Sequence, residues 1–281
     1  MPVMHRDYLA DRPQAMKQRI SQILSTFLYN AYLKGFIIGT IYQGNIKFLN
    51  CPGFNCYSCP GAVSACPIGI IQFFAAHGAY YISFYTLGFL SLVGSIGGRL
   101  VCGWACPFGL LQDVLYKIKS PKWNIPAFSH YAKYPILIVL VLIIPYLTKE
   151  PWFCKLCPVG TLEAGIPQVL YNADLRQLAG RLFQIKIVIL AVLLLWMVAS
   201  KRPFCRTMCP LGAIYSLFNK VSFLRIEVDI NRCIKCNKCY AVCPVAIKVY
   251  EEGGASLKCI RCLRCTDCPV NAVSYKLKLT L

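Results

Sequence analysis

The chain is poor in charge, and above all in negative charge. Only 15% of its 281 residues are charged, against roughly 25% in an average soluble domain. Asp and Glu number 11 against 30 Lys and Arg, so the net charge is +19, while 57% of the residues are apolar. An ordinary soluble globule, a disordered tail and a collagen-like fibre are thereby excluded. Histidine is also scarce: three residues are too few for multi-haem chemistry, so no haem is expected.

Cysteine, by contrast, is abundant, with 18 residues. That is too many for incidental core packing. Together with the apolar composition, it predicts a membrane protein whose chemistry is cysteine chemistry.

Four segments are candidates to cross a membrane, each of which needs about 20 apolar residues. The longest uncharged run covers 51 residues, 48–98, and the crossing itself fits best at 79–98. Further crossings are predicted at 134–148 and 182–200. A fourth, at 21–43, carries Lys34 near its middle, at a cost of about 2.5–3.5 kcal/mol; an interfacial helix is the alternative. Lys34 is a candidate cofactor-binding residue near a cluster or a quinone, unless it only snorkels to the headgroups.

The distribution of Lys and Arg orients the chain. Positive residues gather in segment 1–20, in the 99–133 connection and after residue 200. The positive-inside rule then predicts four crossings in the cytoplasmic membrane, with both termini cytoplasmic. Because the excess charge lies at these positions, it indicates contact with membrane lipid and not with nucleic acid.

A cysteine repeat begins near residue 225. The motif Cys233-x2-Cys236-x2-Cys239-x3-Cys243-Pro is followed, 26 residues later, by Cys259-x2-Cys262-x2-Cys265-x2-Cys268-Pro. Three thiolates at this spacing hold one [4Fe-4S] cube, and the fourth, before Pro, reaches the other cube. The spacing predicts one cluster on Cys233, Cys236, Cys239 and Cys268, and a second on Cys259, Cys262, Cys265 and Cys243. A zinc knuckle or a disulfide framework is the alternative.

Four further cysteines stand in CPxG motifs, at Cys66, Cys106, Cys157 and Cys209. Each is followed by apolar, helix-like residues, so the proline is predicted at the first position of a helix. The thiolate then lies at a helix N-terminus, where the dipole favours an anionic cluster.

Two of these motifs are related by an offset of 103 residues, which also relates Cys102 to Cys205 and Arg99 to Arg202. Two predicted spans separate them, so they face the same, cytoplasmic side. The membrane part is thus predicted to be a tandem two-span repeat about an axis along the membrane normal. A third cluster is expected on Cys102, Cys106, Cys205 and Cys209, with Trp104 beside it as a packing or cofactor-binding residue.

Six cysteines remain for the outer side. The repeat favours a fourth cluster on Cys59, Cys66, Cys154 and Cys157, leaving Cys51 and Cys56 free to form a disulfide. The alternative is local: Cys51-x4-Cys56-x2-Cys59 has plant-type [2Fe–2S] spacing, with Cys66 as the fourth ligand.

The GRxxCGWxCPxG element at 98–109, its CxxxCPxG partner at 205–212 and the two-motif tail together resemble the membrane polyferredoxin family, which includes NapH, NosR and CcoG. The tail alone resembles bacterial two-cluster ferredoxins. The resemblance covers roughly residues 80–270 and implies electron transfer between quinols or cytoplasmic donors and a partner redox protein. The loop 51–66 is not part of the family pattern.

These observations predict an α-helical integral membrane protein with a small α+β ferredoxin-like domain. Its parts are a cytoplasmic segment 1–20, a membrane domain 21–224 and a cytoplasmic ferredoxin domain 225–281. The expected function is single-electron transfer between a cytoplasmic carrier and the quinone pool or a partner, in an oxidoreductase complex. Other redox subunits or an acidic soluble carrier are the expected partners. A metal-reductase or assembly factor, and a membrane anchor of a larger redox complex, are the alternatives.

Overall fold

The computed structural model describes residues 13–77 and 84–277. Within these residues the chain is mostly helical, and its one sheet is a pair of antiparallel strands near the C-terminus. The helices up to residue 218 are, in chain order, Pro13–Tyr29, Lys34–Ile38, Pro67–His77, Phe84–Gly97, Leu100–Trp104, Pro107–Leu115, Ala127–Thr148, Trp152–Leu156, 158–171, Ala173–Gln177, Arg181–Ala199, Pro203–Thr207 and Pro210–Phe218.

Two helices are long and apolar enough to cross a membrane, Ala127–Thr148 with 22 residues and Arg181–Ala199 with 19. They contain nearly all of the segments predicted at 134–148 and 182–200. Only 17% of the most apolar window of each is buried, and large apolar side chains such as Leu147 and Leu195 are exposed. Apolar faces of this extent favour a lipid environment over water.

The span predicted at 21–43 is not a single helix. The first helix ends at Tyr29, and the Asn30 side chain donates to the carbonyl four residues earlier, at 3.1 Å. A separate five-residue helix begins at Lys34 and ends at Ile38, and Gly39, whose φ is +74°, follows it. The predicted span therefore contains a break, which apolar composition does not encode.

The crossing predicted at 79–98 is helical from Phe84 to Gly97 in its described part, and residues 79–83 lie outside the described residues. Residues 1–12 of the predicted N-terminal segment lie outside them as well. Ranges 13–77 and 84–277 therefore contain two helices of spanning length, where the sequence predicts four.

The C-terminal part is closed by its two strands, β1 at Leu224–Val228 and β2 at Val273–Leu277. They pair in antiparallel register from Leu224 opposite Leu277 to Val228 opposite Val273. The helices Lys238–Val242 and Val249–Glu252 and a short 3-10 turn, Arg264–Thr266, lie between them. Because the strand pair joins the two ends of this segment, both cysteine motifs are held in one small unit.

This unit is anchored to the helices before it by buried polar side chains. The Asn219 amide donates to the carbonyls of Ser256 and Cys259, both at 2.8 Å. Arg261 is fully buried and donates to the carbonyls of Asn219, at 2.6 Å, and Leu224. The second cysteine motif is therefore fixed against the helical part of the chain that precedes residue 225.

Candidate metal centres

The eight cysteines of the C-terminal unit surround two small cavities. Cys265 lines both. The other cysteines that line the first cavity are Cys233, Cys236, Cys239 and Cys268. The other cysteines that line the second cavity are Cys243, Cys259 and Cys262. The fourth cysteine of each motif thus faces the cavity of the other motif, which is the crossed grouping that the spacing predicts.

The backbone of the two motifs takes the same unusual conformation at matching positions. Lys235 and Asn237 have φ of +51° and +59°, and their counterparts 26 residues later, Arg261 and Leu263, have +49° and +60°. Each such residue costs roughly 1–2 kcal/mol when it is not glycine. Left-handed residues within a loop turn successive N–H groups toward one concave side, a geometry that binds anions at iron–sulfur sites. The Arg261 N–H, for example, points to the Cys259 sulfur at 3.4 Å.

The chemistry of these thiols fits ligands of a metal centre. Burial raises the pKa of Cys259 to about 12 and also raises that of Cys262, so bound metal is needed to hold them as thiolates. A zinc ion would draw its thiolates to about 2.3 Å from one point. Among residues 13–77 and 84–277, no three His, Cys, Asp or Glu side chains converge that closely.

A third group is formed by four buried cysteines of the helical part before residue 225, here called the inner group: Cys102, Cys106, Cys205 and Cys209. Helices begin at the proline after Cys106 and after Cys209, as the CPxG pattern predicts. The Gln112 amide donates to the Cys205 sulfur at 2.9 Å, and the Gly212 N–H points to the Cys209 sulfur at 3.2 Å. Sulfur atoms that accept hydrogen bonds in this way suit an anionic centre.

Two buried arginines lock the halves of the inner group together. Arg99 lies three residues before Cys102 and donates to the Cys205 carbonyl at 2.9 Å. In the same way, Arg202 lies three residues before Cys205 and donates to the Cys102 carbonyl at 2.9 Å. Each guanidinium also lies against the glycine of the opposite CPxG motif. A Cβ on Gly109 would be 3.2 Å from Arg202, and one on Gly212 would be 3.1 Å from Arg99. The halves therefore exchange equivalent contacts.

A buried carboxylate completes this charge arrangement. Asp113 accepts from Arg202 at 2.7 Å through both oxygens and from Arg264 of the C-terminal unit at 3.0 Å. Burial raises the pKa of Asp113, but the two guanidinium groups outweigh it and leave the pKa below its usual value. Arg99 and Arg202 also lie near the Cys205 thiol, and these guanidinium groups favour a cluster of net negative charge.

The inner group touches the second cysteine motif of the C-terminal unit directly. A Cβ on Gly103 would lie 2.7 Å from the Ile260 carbonyl, so only glycine permits this approach. Next to it, the Trp104 indole donates to the Arg261 carbonyl at 3.1 Å. Arg99 bonds the carbonyls of Leu257 and Lys258, both at 3.2 Å. The two cysteine groups are thus separated by a few atoms of protein.

A cavity of about 980 Å³ lies elsewhere in the helical part before residue 225, and four cysteines line it: Cys56, Cys66, Cys154 and Cys157. We call these the outer group. It differs from the predicted quartet in one residue, because Cys56 and not Cys59 joins the other three. Cys51 is fully buried and lies near both Cys66 and Cys106.

Comparison with known proteins shows which family has similar sequences. A family model described as a 4Fe-4S binding domain matches residues 77–126, 132–168 and 182–228. An uncharacterized protein of Methanocaldococcus jannaschii is 31% identical over 221 residues, which are 75% of this chain and 85% of that protein. The methylamine utilization ferredoxin-type protein MauN of Methylorubrum extorquens is 28% identical, and the ferredoxin-type protein NapH of Escherichia coli 24%; each match covers 53% of this chain and 48% of the relative. The chain belongs to the polyferredoxin family. No solved structure matches it.

This polyferredoxin is an iron–sulfur electron-transfer protein, as its resemblance implies. The family model matches the segments that contain the inner group and the second outer motif, and not the C-terminal cysteine repeat. MauN and NapH are matched over about half of their own lengths.

The two candidate cofactor-binding residues of the polyferredoxin differ in position. Trp104 lies between the inner group and the second C-terminal motif, whereas Lys34 is exposed at the start of its short helix. Sequence reasoning missed Gln72 and Gln112, which hydrogen-bond to the sulfurs of Cys154 and Cys205. A signal was present, since each glutamine stands six residues after the cysteine of a CPxG motif.

Proposed function

We propose that this polyferredoxin conducts single electrons between a cytoplasmic carrier and the quinone pool or a partner redox protein, as a subunit of an oxidoreductase complex. The observation that carries the proposal is the contact between the second C-terminal cysteine group and the inner group. Gly103 and Trp104 meet the backbone of Ile260 and Arg261 there. Short protein paths between redox groups are what electron conduction requires.

Three [4Fe-4S] clusters would be held by the C-terminal and inner cysteines. The proposed ligands are Cys233, Cys236, Cys239 and Cys268 for the first, Cys259, Cys262, Cys265 and Cys243 for the second, and Cys102, Cys106, Cys205 and Cys209 for the third. When bound, such clusters supply one-electron redox chemistry. The chain itself supplies the thiolates, the nearby guanidinium groups and the exclusion of water.

The proposed placement in the membrane keeps four crossings, with domain limits at 1–20, 21–224 and 225–281 and both termini cytoplasmic. Two crossings rest on the helices of spanning length. The break near Asn30 is compatible with a third, because non-helical backbone is tolerated in a membrane when it is buried in protein. Support comes from the Tyr32 and Val63 N–H groups, which donate to the carbonyls of Gly61 and Tyr29 at 3.1 and 3.0 Å.

The large cavity beside the outer group supports a lipophilic partner such as a quinone. Its walls include Phe73, Leu182 and Phe183, and Gln168 and Lys186 offer donors for quinone carbonyls. Cavities of this size with apolar walls and a few polar groups are typical of small-molecule sites. The C-terminal domain is basic, with ten Lys and Arg against five Asp and Glu, which favours an acidic carrier as the cytoplasmic donor.

The test is single-turnover reoxidation. Protein reduced anaerobically and freed of reductant is mixed with a short-tailed quinone, while cluster absorbance and quinol are followed; each quinone takes up two electrons and two protons. We expect quinone to reoxidise the wild type. In the Leu182→Trp variant, whose larger side chain narrows the cavity, reoxidation should be about tenfold slower, corresponding to about 1.4 kcal/mol of binding. Reoxidation by ferricyanide should stay unchanged in that variant.

Two results would contradict the proposal. If quinone fails to reoxidise the reduced protein while a ferric chelate succeeds, the metal-reductase function replaces it. If neither acceptor works on the isolated chain but both work on a copurified complex, the chain is an anchor whose clusters conduct for other subunits.

A further inference from the structure

We propose that the outer group is a fourth [4Fe-4S] site, with Cys56, Cys66, Cys154 and Cys157 as its ligands. The inference goes beyond the proposed function, which requires only the C-terminal and inner sites. It rests on how the four cysteines are brought together and on their correspondence with the inner group.

The four cysteines come from two loops that meet at the large cavity. Cys157 lies near Cys56, Cys66 and Cys154, so the group is mutually close. Each CPxG glycine faces a cysteine of the other loop: a Cβ on Gly69 would be 3.8 Å from the Cys154 sulfur, and one on Gly160 would be 3.5 Å from the Cys56 sulfur. Both loops thus offer a leading cysteine to the other loop's motif.

Polar side chains that lie six residues after each motif cysteine form hydrogen bonds to the other loop. Gln72 lies six residues after Cys66. Its side-chain amide donates to the Cys154 sulfur at 3.0 Å and accepts a hydrogen bond from the Phe153 N–H at 3.0 Å. Glu163, six after Cys157, accepts the Cys56 N–H at 2.7 Å. Cys56 therefore holds the same place beside one motif that Cys154 holds beside the other.

The inner group has an equivalent hydrogen bond from a glutamine to a cysteine sulfur. Gln112, six after Cys106, donates to the Cys205 sulfur at 2.9 Å, as Gln72 does to Cys154. Cys154 and Cys205 are the leading cysteines of their motifs. Because the inner group is the proposed site of a cluster, the equivalent contacts point to the same use for the outer group.

Cys51 and Cys59 are placed differently. Neither lines the cavity. Cys51 is fully buried, and its N–H donates to the Ala65 carbonyl at 2.8 Å. Cys59 lies near Lys47, whose ammonium group is bound to the carbonyls of Tyr57 and Ala62 at 2.8 and 2.7 Å. These two cysteines belong to the scaffold of the loop.

A buried row of aromatic rings joins the outer and inner groups. Phe54 contacts Phe153, next to Cys154, with ring centroids 6.3 Å apart, and contacts Phe204 at 5.6 Å. Phe204 in turn contacts Phe108 at 5.1 Å. Phe204 and Phe108 flank cysteines of the inner group, so the outer site adjoins the inner one through continuous packed protein.

The experiment compares Cys56→Ser with Cys59→Ser in anaerobically purified full-length protein, by iron and sulfide counting and by EPR after reduction. The wild type should hold about 16 iron atoms in four cubes. We expect Cys56→Ser to lose about four irons and one EPR-active cluster, and Cys59→Ser to retain all. A loss in Cys59→Ser but not in Cys56→Ser would overturn the ligand set. A wild type with about 12 irons would remove the fourth site but leave the proposed function intact.

A second measurement keeps the proposal testable if the Cys56 variant does not fold. Cys154 is exposed, so an unligated thiol there should react with maleimide in the native wild-type protein. We expect protection at Cys154 in the holoprotein and rapid labelling after the iron has been removed oxidatively with a chelator. Labelling at Cys154 in protein with its full iron content would contradict the proposal.

Discussion

Single side chains tune the inner site, and Gln112 offers the sharpest case. Its side-chain amide donates a hydrogen bond to the Cys205 sulfur. This hydrogen bond stabilises the more negative, reduced state of a cluster more than the oxidised state. We expect Gln112→Leu to lower the potential of one cluster by roughly 30–60 mV, equivalent to about 1 kcal/mol of hydrogen bonding. An EPR-monitored redox titration measures this change. Gln177→Leu, on an exposed helix, is the control, and an equal shift there would refute the role of the bond.

The CPxG glycines are a second residue-scale feature. At Gly212 a Cβ would lie 3.1 Å from the buried Arg99 guanidinium, whereas at Gly88 nothing lies within 4 Å. Gly212→Ala should therefore lower the free energy of unfolding by about 1–3 kcal/mol through overpacking. Gly88→Ala, inside a helix, should be neutral or stabilising by up to about 1 kcal/mol. Thermal unfolding in detergent compares the two, and equal effects would contradict the account.

The limits of sequence reasoning at this scale are physical. Spacing decides the grouping of the C-terminal cysteines because each motif is local. It could not decide between Cys56 and Cys59, because that choice depends on how two loops about 100 residues apart meet. The contact between Glu163 and the Cys56 N–H is long-range and leaves no spacing signal.

At the scale of helices, the long apolar segments were the most predictable part of the fold. The segments 134–148 and 182–200 lie almost wholly inside the two long helices. The break after Tyr29 was not predicted, because it depends on backbone contacts with residues 60–63. Hydropathy does not register such contacts.

The Arg181–Ala199 helix allows its two faces to be compared with one residue type. Leu193 is 4% exposed and Leu195 is 72% exposed. Leu193→Ala should cost about 2–5 kcal/mol through loss of packing and a cavity. Leu195→Ala should cost no more than about 0.5 kcal/mol, because detergent or lipid replaces the lost contact. Equilibrium unfolding in detergent tests this, and a large cost at Leu195 would mean that another protein covers this face.

At the scale of the whole molecule, the distribution of charge bears on the proposed orientation of the chain in the membrane. The basic C-terminal domain and the 99–133 connection lie on the side of the inner group, and the outer cavity is lined by Lys149 and Lys186. The hydrocarbon core is about 30 Å thick, so a path from the proposed cytoplasmic donor would have to reach well into the membrane. The aromatic contacts from Phe153 through Phe54 to Phe204 place the outer group against the inner one, which shortens that path.

The topology can be tested with two lysines and one membrane-impermeant amine reagent. Lys276 in β2 is 62% exposed at its side chain despite its ion pair with Glu227, and Lys149 is exposed at the end of the Ala127–Thr148 helix. If the C-terminal domain is cytoplasmic, intact cells should yield labelled Lys149 and unlabelled Lys276, and opened cells should yield both. Peptide mass spectrometry measures the two sites in one sample, with Lys149 as the internal control for reagent access. Labelling of Lys276 alone in intact cells would invert the topology, and equal labelling of both would mean that no membrane separates them. Inversion would also place the basic segment 225–281 outside the cell, where a cytoplasmic carrier has no access to it.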